Sequence, residues 1–373
     1  MLLNSYLSSL AEAFDRQDQI FAAAYSVVQE AIEQQAFPAA SVSVTLGDQV
    51  IALRAVGQFT HENDSPAVDP TTLFDLASLT KGVATTSMAM VLYERGLLDL
   101  DAPVAAVVPE FAQGEADDRR RDVSLRMLLA HSSGLPAYEK LYLKARTRDE
   151  LLAAVFTVPL AADPGSRAEY SDIGFMLLGV ALERLADEAL DGFCRREIFA
   201  PLGMINTTFN PPKEIRAKIP PTADDRSFRH RVIQGEVQDE NASVLGGVAA
   251  QAGVFSTALD LARFAHSMLG AGRSILRPET IALFTRRESV PADTSRALGW
   301  DTPSPPSQSG KHFGAASFGH LGYTGTSLWI DPDRRLSVTL LTNRTWPDCS
   351  NRAIKQVRPR FHDAVVEAIE KSA

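Results

Sequence analysis

Apolar and polar residues alternate in two short stretches near the ends of the chain, and this pattern predicts a β-hairpin at each end. Residues 40–46 alternate like a strand, and residues 49–57 return after a short turn. Residues 326–330 and 336–342 repeat the arrangement near the C-terminus. Apolar residues at helical spacing predict helices over residues 5–35, 124–131, 148–156, 173–186, 189–200, 258–269 and 351–370.

The most apolar of the helical stretches runs from Leu79 to Tyr93, contains no proline and carries a single charge, Lys81. A helix without a polar face belongs in the protein interior, and Gly96 offers the left-handed residue that ends many helices. Ser78 stands three residues before Lys81, so the hydroxyl and the amine share one face. Unpaired N–H groups at a helix start also favour an anion. The stretch is therefore a candidate nucleophile site, although the spacing alone often arises by chance.

Two terminal hairpins without a regular strand–helix alternation predict the fold class. We expect an α/β protein of the α+β type, in which an antiparallel β-sheet is flanked by helices and a mostly helical domain is inserted. The 373 residues are enough for two domains. Residues 1–77 and 240–373 would form the sheet domain, residues 78–239 would form the helical domain, and the active site would lie at their interface.

Composition excludes several function classes. The net charge of −9 and the pI near 5.4 disfavour a nucleic-acid partner. Cys194 and Cys349 are the only cysteines and stand far apart, so we expect neither a disulfide framework nor a thiolate metal site. The seven histidines are scattered and no phosphate-binding glycine motif occurs, so no metal and no cofactor is expected.

The N-terminal residues lack the basic start and the apolar run of a signal peptide, and no segment is long enough to span a bilayer. The sequence thus predicts no transmembrane segment and a cytoplasmic location, or a periplasmic or secreted one if a leader has been removed. The oligomeric state does not follow from the sequence.

Ser-x-x-Lys, Tyr-Ser-Asp and His-x-Gly occur in this order along the chain, and in these motifs the sequence resembles a known family. It looks like the serine hydrolases of the class C β-lactamase and penicillin-binding-protein type, which include esterases and D-aminopeptidases. The resemblance covers most of the chain after about residue 20 and implies a β-lactamase/transpeptidase-like fold. The matching segments are FDLASLTK (74–81), LLAHSSGLP (128–136), PGSRAEYSDIGFMLLG (164–179), NASVLGGVAAQAGVFSTALDLARF (241–264) and GHLGYTGTSLWIDP (319–332).

The resemblance implies a role for each of the matching site residues. Ser78 would be the nucleophile that forms an acyl-enzyme, and Lys81 would help to deprotonate it. Tyr170 would be the general base or a proton relay. The backbone N–H groups of Ser78 and Tyr323 would hold the oxyanion. The residues expected to bind the substrate are Asp172, His320 and Gly322.

Three further residues carry open interpretations. His131 and Ser133 also match the family, but we interpret their segment as a turn that ends a helix and has structural value. Trp300 either lines the pocket or belongs to the core, and the sequence does not separate these alternatives.

Two departures from the family pattern bear on the substrate. Many relatives have Asn where Asp172 stands, and a carboxylate cannot donate a hydrogen bond to a substrate carbonyl. An ionised Asp172 would also favour the ammonium form of Lys81 and oppose a Tyr170 phenolate. Alternatively, Asp172 is only the N-cap of its helix. His320 stands where relatives have Lys or His, and a mostly neutral imidazole attracts a substrate carboxylate less than an ammonium does.

The sequence therefore predicts a serine hydrolase that acts on esters, small amides or D-amino-acid peptides, with weak or no β-lactamase activity. Its partner would be a small molecule or a short peptide. The alternatives are a true class C-type β-lactamase or D,D-peptidase, and a binding protein that uses the same scaffold to hold a peptide or a cell-wall fragment without catalysis.

Overall fold

A six-stranded β-sheet lies at the centre of the computed structural model, which describes residues 10–113, 117–270 and 274–372. The strands of the described residues are β1 (Ala11–Glu12), β2 (Ala39–Leu46), β3 (Gln49–Gly57), β4 (Phe74–Asp75), β5 (Thr208–Phe209), β6 (Pro221–Asp225), β7 (Arg231–Gln234), β8 (Val254–Ser256), β9 (Phe318–Leu321), β10 (Ser327–Asp331) and β11 (Leu336–Thr342). The order in the main sheet is β1-β3-β2-β11-β10-β9. All neighbours in it are antiparallel except β1 and β3.

The two predicted hairpins form the middle of this sheet. Strands β2 and β11 pair antiparallel, with Val44 opposite Val338, so strands from both terminal regions belong to one sheet. Side chains alternate between the two faces of β2. Val42 and Val44 belong to one buried apolar cluster, whereas the Ser43 hydroxyl faces the other way and donates to the carbonyl of Ala258 at 2.8 Å. The predicted antiparallel sheet is confirmed.

Helices cover both faces of the sheet. The α-helices are α1 (Gln17–Ile20), α2 (Ala22–Glu33), α3 (Ser87–Glu94), α4 (Val104–Val107), α5 (Leu125–Leu129), α6 (Arg148–Thr157), α7 (Asp172–Ala186), α8 (Leu190–Cys194), α9 (Lys213–Arg216), α10 (Glu240–Val244), α11 (Ala258–Met268), α12 (Pro278–Thr285) and α13 (Ile354–Ser372). Helices α2 and α13 bury the valine face of β2, and α11 packs on its serine face. None of the helices in the described ranges is long and apolar enough to cross a membrane.

The N-terminal region differs from the prediction of one helix over residues 5–35. Residues 5–9 lie outside the described residues, and Ala11–Glu12 form a strand that pairs parallel with β3. The edge of β3 offers backbone partners: Ala11 N–H donates to the carbonyl of Asp48 at 3.1 Å, and Ala13 N–H donates to that of Val50 at 2.9 Å. Helix then forms only from Gln17 onward. The spacing of apolar residues within a segment does not reveal that a distant strand provides its hydrogen-bond partners.

Several short elements were absent from the sequence prediction, and so were one longer helix and one strand of the main sheet. Helix α12 was not predicted, and the predicted loop 301–319 ends in strand β9. Strand β9 contains Gly319 and shows little alternation, so pairing with β10 stabilises it rather than local propensity. This matters because β9 carries His320.

A small sheet lies directly before Ser78. Its order is β4-β8-β5, so it joins residues that stand far apart in the chain. The segment 78–239 contains α3–α9 together with β5, β6 and β7. The division of the chain into residues 1–77 plus 240–373 and residues 78–239 remains a proposal.

Candidate active site

The turn before Ser78 is held in an unusual backbone conformation. Asp75 ends β4, and its buried carboxylate accepts hydrogen bonds from the N–H groups of Ala77 at 2.8 Å and Gln238 at 2.7 Å. Ala77 has φ +47°, a left-handed conformation that costs about 1 kcal/mol or more for a residue with a Cβ. Burial raises the pKa of Asp75 to about 6 despite these two donors. Asp75 thus presents Ser78 at the start of the helix.

The predicted buried helix follows at once. It begins at Leu79, winds as a π-helical segment over Lys81–Thr86 and continues as α3, and Gly96 beyond its end has φ +70°. Such π-segments are rare and often mark functional sites. Close packing accompanies it, because a Cβ on Gly82 would lie 2.6 Å from the Trp300 ring. Trp300 is buried, so of its two interpretations the structure supports the core.

Lys81 is completely buried and has three polar partners. Its Nζ lies 3.2 Å from Ser78 Oγ, 2.6 Å from Asp172 Oδ1 and 3.0 Å from the carbonyl oxygen of Gln251. Burial by itself would lower the pKa of Lys81, but the attraction and the hydrogen bond of the Asp172 carboxylate outweigh it and leave the pKa above its usual value. Lys81 is therefore an ammonium in the resting site.

Asp172 faces the site and does not cap its helix. The N-cap of α7 is Ser171, whose hydroxyl accepts a hydrogen bond from the N–H of Gly174 at 2.9 Å. The alternative that made Asp172 the N-cap is therefore wrong, because Asp172 is already the first helical residue. Its carboxylate contacts Lys81 instead. As expected for Asp in place of Asn, it raises the pKa of Lys81 and that of Tyr170, and so favours the ammonium and opposes the phenolate.

Tyr170 completes the group. Its ring centre lies 4.7 Å from Lys81 Nζ. Burial and the Asp172 carboxylate raise the pKa of Tyr170, and the opposing effects of Lys81 and Ser78 are smaller. Tyr170 is thus a neutral phenol at rest, beside the hydroxyl and amine with which it was predicted to act.

His131 supports the Tyr170 segment from behind. Its ring lies 4.7 Å from that of Tyr170 and 4.9 Å from that of Phe175, between centres. Its Nδ1 accepts a hydrogen bond from the N–H of Ser171 at 3.0 Å, so any ring proton is on Nε2. Burial, with Arg296 and Lys81 nearby, keeps the pKa of His131 well below its usual value. A neutral, stacked histidine agrees with the structural interpretation of this turn.

His320 lies on β9, and its ring centre is 6.1 Å from that of Tyr170. Its Nδ1–H donates to the carbonyl of Leu321 at 2.8 Å, which leaves Nε2 as an acceptor. Burial and the charge of Lys81 lower the pKa of His320 to about 3. His320 therefore contributes no positive charge at neutral pH.

The turn between β9 and β10 is tied to the segment before Ser78. The hydroxyl of Thr324 donates to the carbonyl of Asp75 at 2.7 Å, and that of Thr326 donates to the carbonyl of Leu76 at 2.9 Å. Within the part of the chain that the structure describes, the N–H groups of Ser78 and Tyr323 have no acceptor. Two unpaired donors on adjoining segments are what an oxyanion hole requires, and the assignment of Ser78 and Tyr323 to this role remains a prediction.

Gly322 makes this close approach possible. A Cβ at this position would lie 1.9 Å from Thr326 Oγ1 and 2.4 Å from the Leu76 carbonyl oxygen. Its own N–H donates to the carbonyl of Thr326 at 2.7 Å. The structure gives Gly322 a packing role, and its expected contact with substrate remains a prediction.

Sequence reasoning missed Arg296. Its guanidinium carbon lies 5.5 Å from the centre of the Tyr170 ring, and its nearest carboxylate, Asp301, is 3.5 Å away. Arg296 stands in a segment for which the sequence predicted no element and which carries no recognised motif, so no sequence signal pointed to it. Among the residues described, no group of three or more His, Cys, Asp or Glu side chains is arranged to hold a metal ion.

Comparison with known proteins places the chain. Residues 25–358 match the family model described as "Beta-lactamase". The chain belongs to this family. N-acetylmuramyl-L-alanine amidase of Bacillus subtilis (strain 168) is 33% identical over 343 residues, which cover 83% of this chain and 77% of that protein. A putative D-alanyl-D-alanine carboxypeptidase of Escherichia coli (strain K12) is 30% identical over 343 residues, covering 83% and 79%.

Several solved structures share the fold. EstCE1, a hydrolase with promiscuous acyltransferase activity, superposes with a TM-score of 0.77 at 23% identity over 94% of this chain and 99% of that one. The class C β-lactamase of Rhodobacter sphaeroides gives 0.70 at 21% identity over 93% and 99%. The predicted family and fold class are confirmed, and the protein is a serine hydrolase of the β-lactamase-like type.

Proposed function

We propose that the protein hydrolyses small esters or amides, including D-amino-acid peptides, through an acyl-enzyme on Ser78, and that it turns over β-lactams weakly or not at all. The observation that carries this proposal is the contact of 3.2 Å between Ser78 Oγ and the buried Lys81 Nζ, beside Tyr170. A serine hydroxyl becomes an effective nucleophile when a neighbouring base takes its proton.

The resting protonation states define the first step. Lys81 as an ammonium donates to Ser78, and Tyr170 is a phenol, so one proton must leave the Lys81–Tyr170 pair before Ser78 can be deprotonated. Once it has left, the same contact reverses and Ser78 donates to the pair. Activity should therefore rise with pH through the apparent pKa of this coupled pair.

Acylation then follows without a further group. Ser78 Oγ bonds to the substrate carbonyl carbon while its proton passes to the Lys81–Tyr170 pair. The N–H groups of Ser78 and Tyr323 stabilise the oxyanion, an interaction worth roughly 3–4 kcal/mol per donor. The pair returns the proton to the leaving oxygen or nitrogen as that bond breaks. Water hydrolyses the resulting ester and regenerates Ser78.

Two features favour neutral esters and amides. Asp172 cannot donate a hydrogen bond to a substrate carbonyl, and its Oδ1 is already occupied by Lys81 at 2.6 Å. His320 is neutral because of its low pKa of about 3. The site therefore lacks, at these two positions, the amide donor and the fixed charge that a β-lactam or a terminal carboxylate would use.

Arg296 favours a second candidate, a D,D-carboxypeptidase. The carbon of its guanidinium lies 5.5 Å from the centre of the Tyr170 ring. Arg296 could therefore bind the carboxylate of a peptide, a role that the neutral His320 does not fill. One relative covered over most of its length is named a putative D-alanyl-D-alanine carboxypeptidase.

Purified protein assayed on p-nitrophenyl acetate, nitrocefin and a peptide ending in D-alanyl-D-alanine tests the proposal. We expect ester turnover to exceed nitrocefin turnover. Nitrocefin turnover far above ester turnover would reverse the assignment, and efficient release of D-alanine would favour the second candidate.

Covalent labelling tests the nucleophile. Mass spectrometry after a fluorophosphonate probe should show one adduct on wild-type protein and none on Ser78→Ala. Ser87→Ala is the matched control, because Ser87 lies on the same helix but its hydroxyl donates to the carbonyl of Gly82 at 3.1 Å. A folded wild-type protein that stays unlabelled would indicate the non-catalytic binding protein instead.

A further inference from the structure

Helix α13 places an arginine directly behind the turn that carries Tyr323. The Arg358 guanidinium is buried and donates to three backbone carbonyls of this turn. Its Nη2 lies 2.6 Å from the carbonyl oxygen of Gly322 and 2.8 Å from that of Thr326, and its Nε lies 3.3 Å from that of Gly325. The last helix of the chain is thereby attached to the edge of the active site.

Arg358 has no ion-pair partner within the described ranges, although 28 salt bridges occur there. A buried charge without a counter-ion destabilises the folded state, even when its hydrogen bonds are made. Burial and the nearby charge of Arg344 accordingly lower the pKa of Arg358 to about 9.

The shortest of the three bonds has a particular consequence for Tyr323. The carbonyl of Gly322 and the N–H of Tyr323 belong to one peptide unit, and this peptide is not among the cis bonds of the described chain. In a trans peptide the C=O and the N–H point in opposite directions. A cation that donates to the carbonyl therefore stands behind the N–H and polarises it along its own axis, since hydrogen bonds in a chain strengthen one another.

The neighbouring Arg344 provides the comparison. It also holds the turn, because its Nε donates to the carbonyl of Tyr323 at 2.6 Å. That carbonyl belongs to the following peptide unit, whose N–H is that of Thr324 and not that of Tyr323. The two arginines thus anchor the same turn, but only Arg358 donates to the peptide that presents the oxyanion donor.

We propose that Arg358 is a positioning residue that polarises the Gly322–Tyr323 peptide and so strengthens the Tyr323 N–H as an oxyanion donor. This inference rests on the proposed function of Ser78 and Tyr323. It predicts that Arg358 stabilises the anionic tetrahedral state more than the bound substrate, without touching either.

The test compares Arg358→Met and Arg358→Lys with Arg344→Met. For each we would measure kcat and KM on a p-nitrophenyl ester, the Kd of a boronic acid that forms an anionic tetrahedral adduct with a catalytic serine, and the thermal midpoint. Loss of a whole oxyanion donor lowers kcat about 10²–10³-fold, so loss of its polarisation should cost about 10–100-fold. We expect Arg358→Met to lower kcat and boronate affinity by this common factor, with KM within about threefold of wild type.

The two other variants separate polarisation from anchoring. Arg358→Lys keeps a hydrogen-bond donor at this position and should recover part of the boronate affinity. If Arg358→Met does not fold, Arg358→Lys takes its place in the comparison. Arg344→Met should lower the thermal midpoint with a much smaller effect on boronate affinity. Unchanged boronate affinity in a folded Arg358 variant, or equal losses in the Arg358 and Arg344 variants, would overturn the inference and leave Arg358 a structural residue.

The failure of this inference can be distinguished from failure of the proposed function. If wild-type protein neither reacts with a fluorophosphonate nor binds the boronic acid, Ser78 is not the nucleophile and both proposals fall. If wild-type protein does both and the Arg358 variants behave like it, only the role of Arg358 is refuted.

Discussion

Replacing Asp172 by asparagine tests the electrostatic account of the site most directly. The carboxylate oxygen lies 2.6 Å from Lys81 Nζ, the lysine side chain is wholly buried, and the aspartate side chain is only 16% exposed. Asparagine has the same shape and still accepts a hydrogen bond from Lys81, so the substitution removes a charge with little change in packing.

The magnitude follows from this distance. Unit charges 2.6 Å apart attract by roughly 6 kcal/mol at an effective dielectric constant of about 20. Relaxation and solvent reduce such effects, and a close opposite charge typically shifts a pKa by about 1–3 units, or roughly 1.4–4 kcal/mol. Asp172 raises the pKa of both Lys81 and Tyr170, so its removal lowers both.

The expected result is a displaced pH profile. The limb of kcat/KM that rises with pH reports deprotonation of the Lys81–Tyr170 pair in the free enzyme. In Asp172→Asn this limb should move to lower pH by about 1–3 units. At pH 7 a larger fraction of the Lys81–Tyr170 pair would be deprotonated, so the ester rate should rise. The rise should be smaller than the increase in that fraction, because a base of lower pKa accepts the proton less readily.

The assay is hydrolysis of a p-nitrophenyl ester between pH 5 and pH 10, roughly the range in which these groups titrate, with thermal midpoints to verify folding. Asp101→Asn is the matched control, since Asp101 pairs with Arg126 at 2.7 Å but is exposed. A limb that does not move in Asp172→Asn, or that moves to higher pH, would refute the assignment of the base to this pair.

Two further predictions follow from the site. Lys81→Ala and Tyr170→Phe should each lower kcat on the ester at least about 100-fold, the scale of general-base loss, with folding verified by circular dichroism; near-normal rates in both would mean that their roles are misassigned. Gly322→Ala should lower ester turnover more than about tenfold, because its Cβ would meet Thr326 Oγ1 at 1.9 Å and displace the turn that carries Tyr323. Gly314→Ala is the control and should retain turnover, because its Cβ would meet nothing closer than 3.7 Å and its φ does not lie in the left-handed region. Equal turnover in both variants would show that the turn accommodates the added methyl group.

The elements that the sequence predicted well depend on local pattern. Strand β3 begins and ends where the alternation of residues 49–57 does, and β11 coincides with residues 336–342. The serine–lysine helix was also recognised, because its apolar residues and Gly96 are contiguous in the chain. Such features require only the period of the side chains and the conformational freedom of glycine.

Elements that depend on a distant partner were missed. Strand β9 forms because β10 pairs with it, and β1 forms because the edge of β3 is open. Neither has a strong signal of its own. The same limitation affected Trp300, whose burial against the helix of Lys81 depends on how two remote segments pack.

For the active site, the sequence by itself determined which chemical groups are present: a serine three residues before a lysine on a buried helix, a tyrosine, and a histidine near the last hairpin. Only the tertiary structure decided what each group does at rest. In the folded protein the Asp172 carboxylate pairs with Lys81 and does not cap its helix. Burial keeps His320 neutral, and Arg358 donates to the carbonyl of the Gly322–Tyr323 peptide. The physical reason is that protonation and polarisation depend on burial and on separations of a few ångströms between residues that stand far apart in the chain, whereas helices and hairpins depend largely on neighbours.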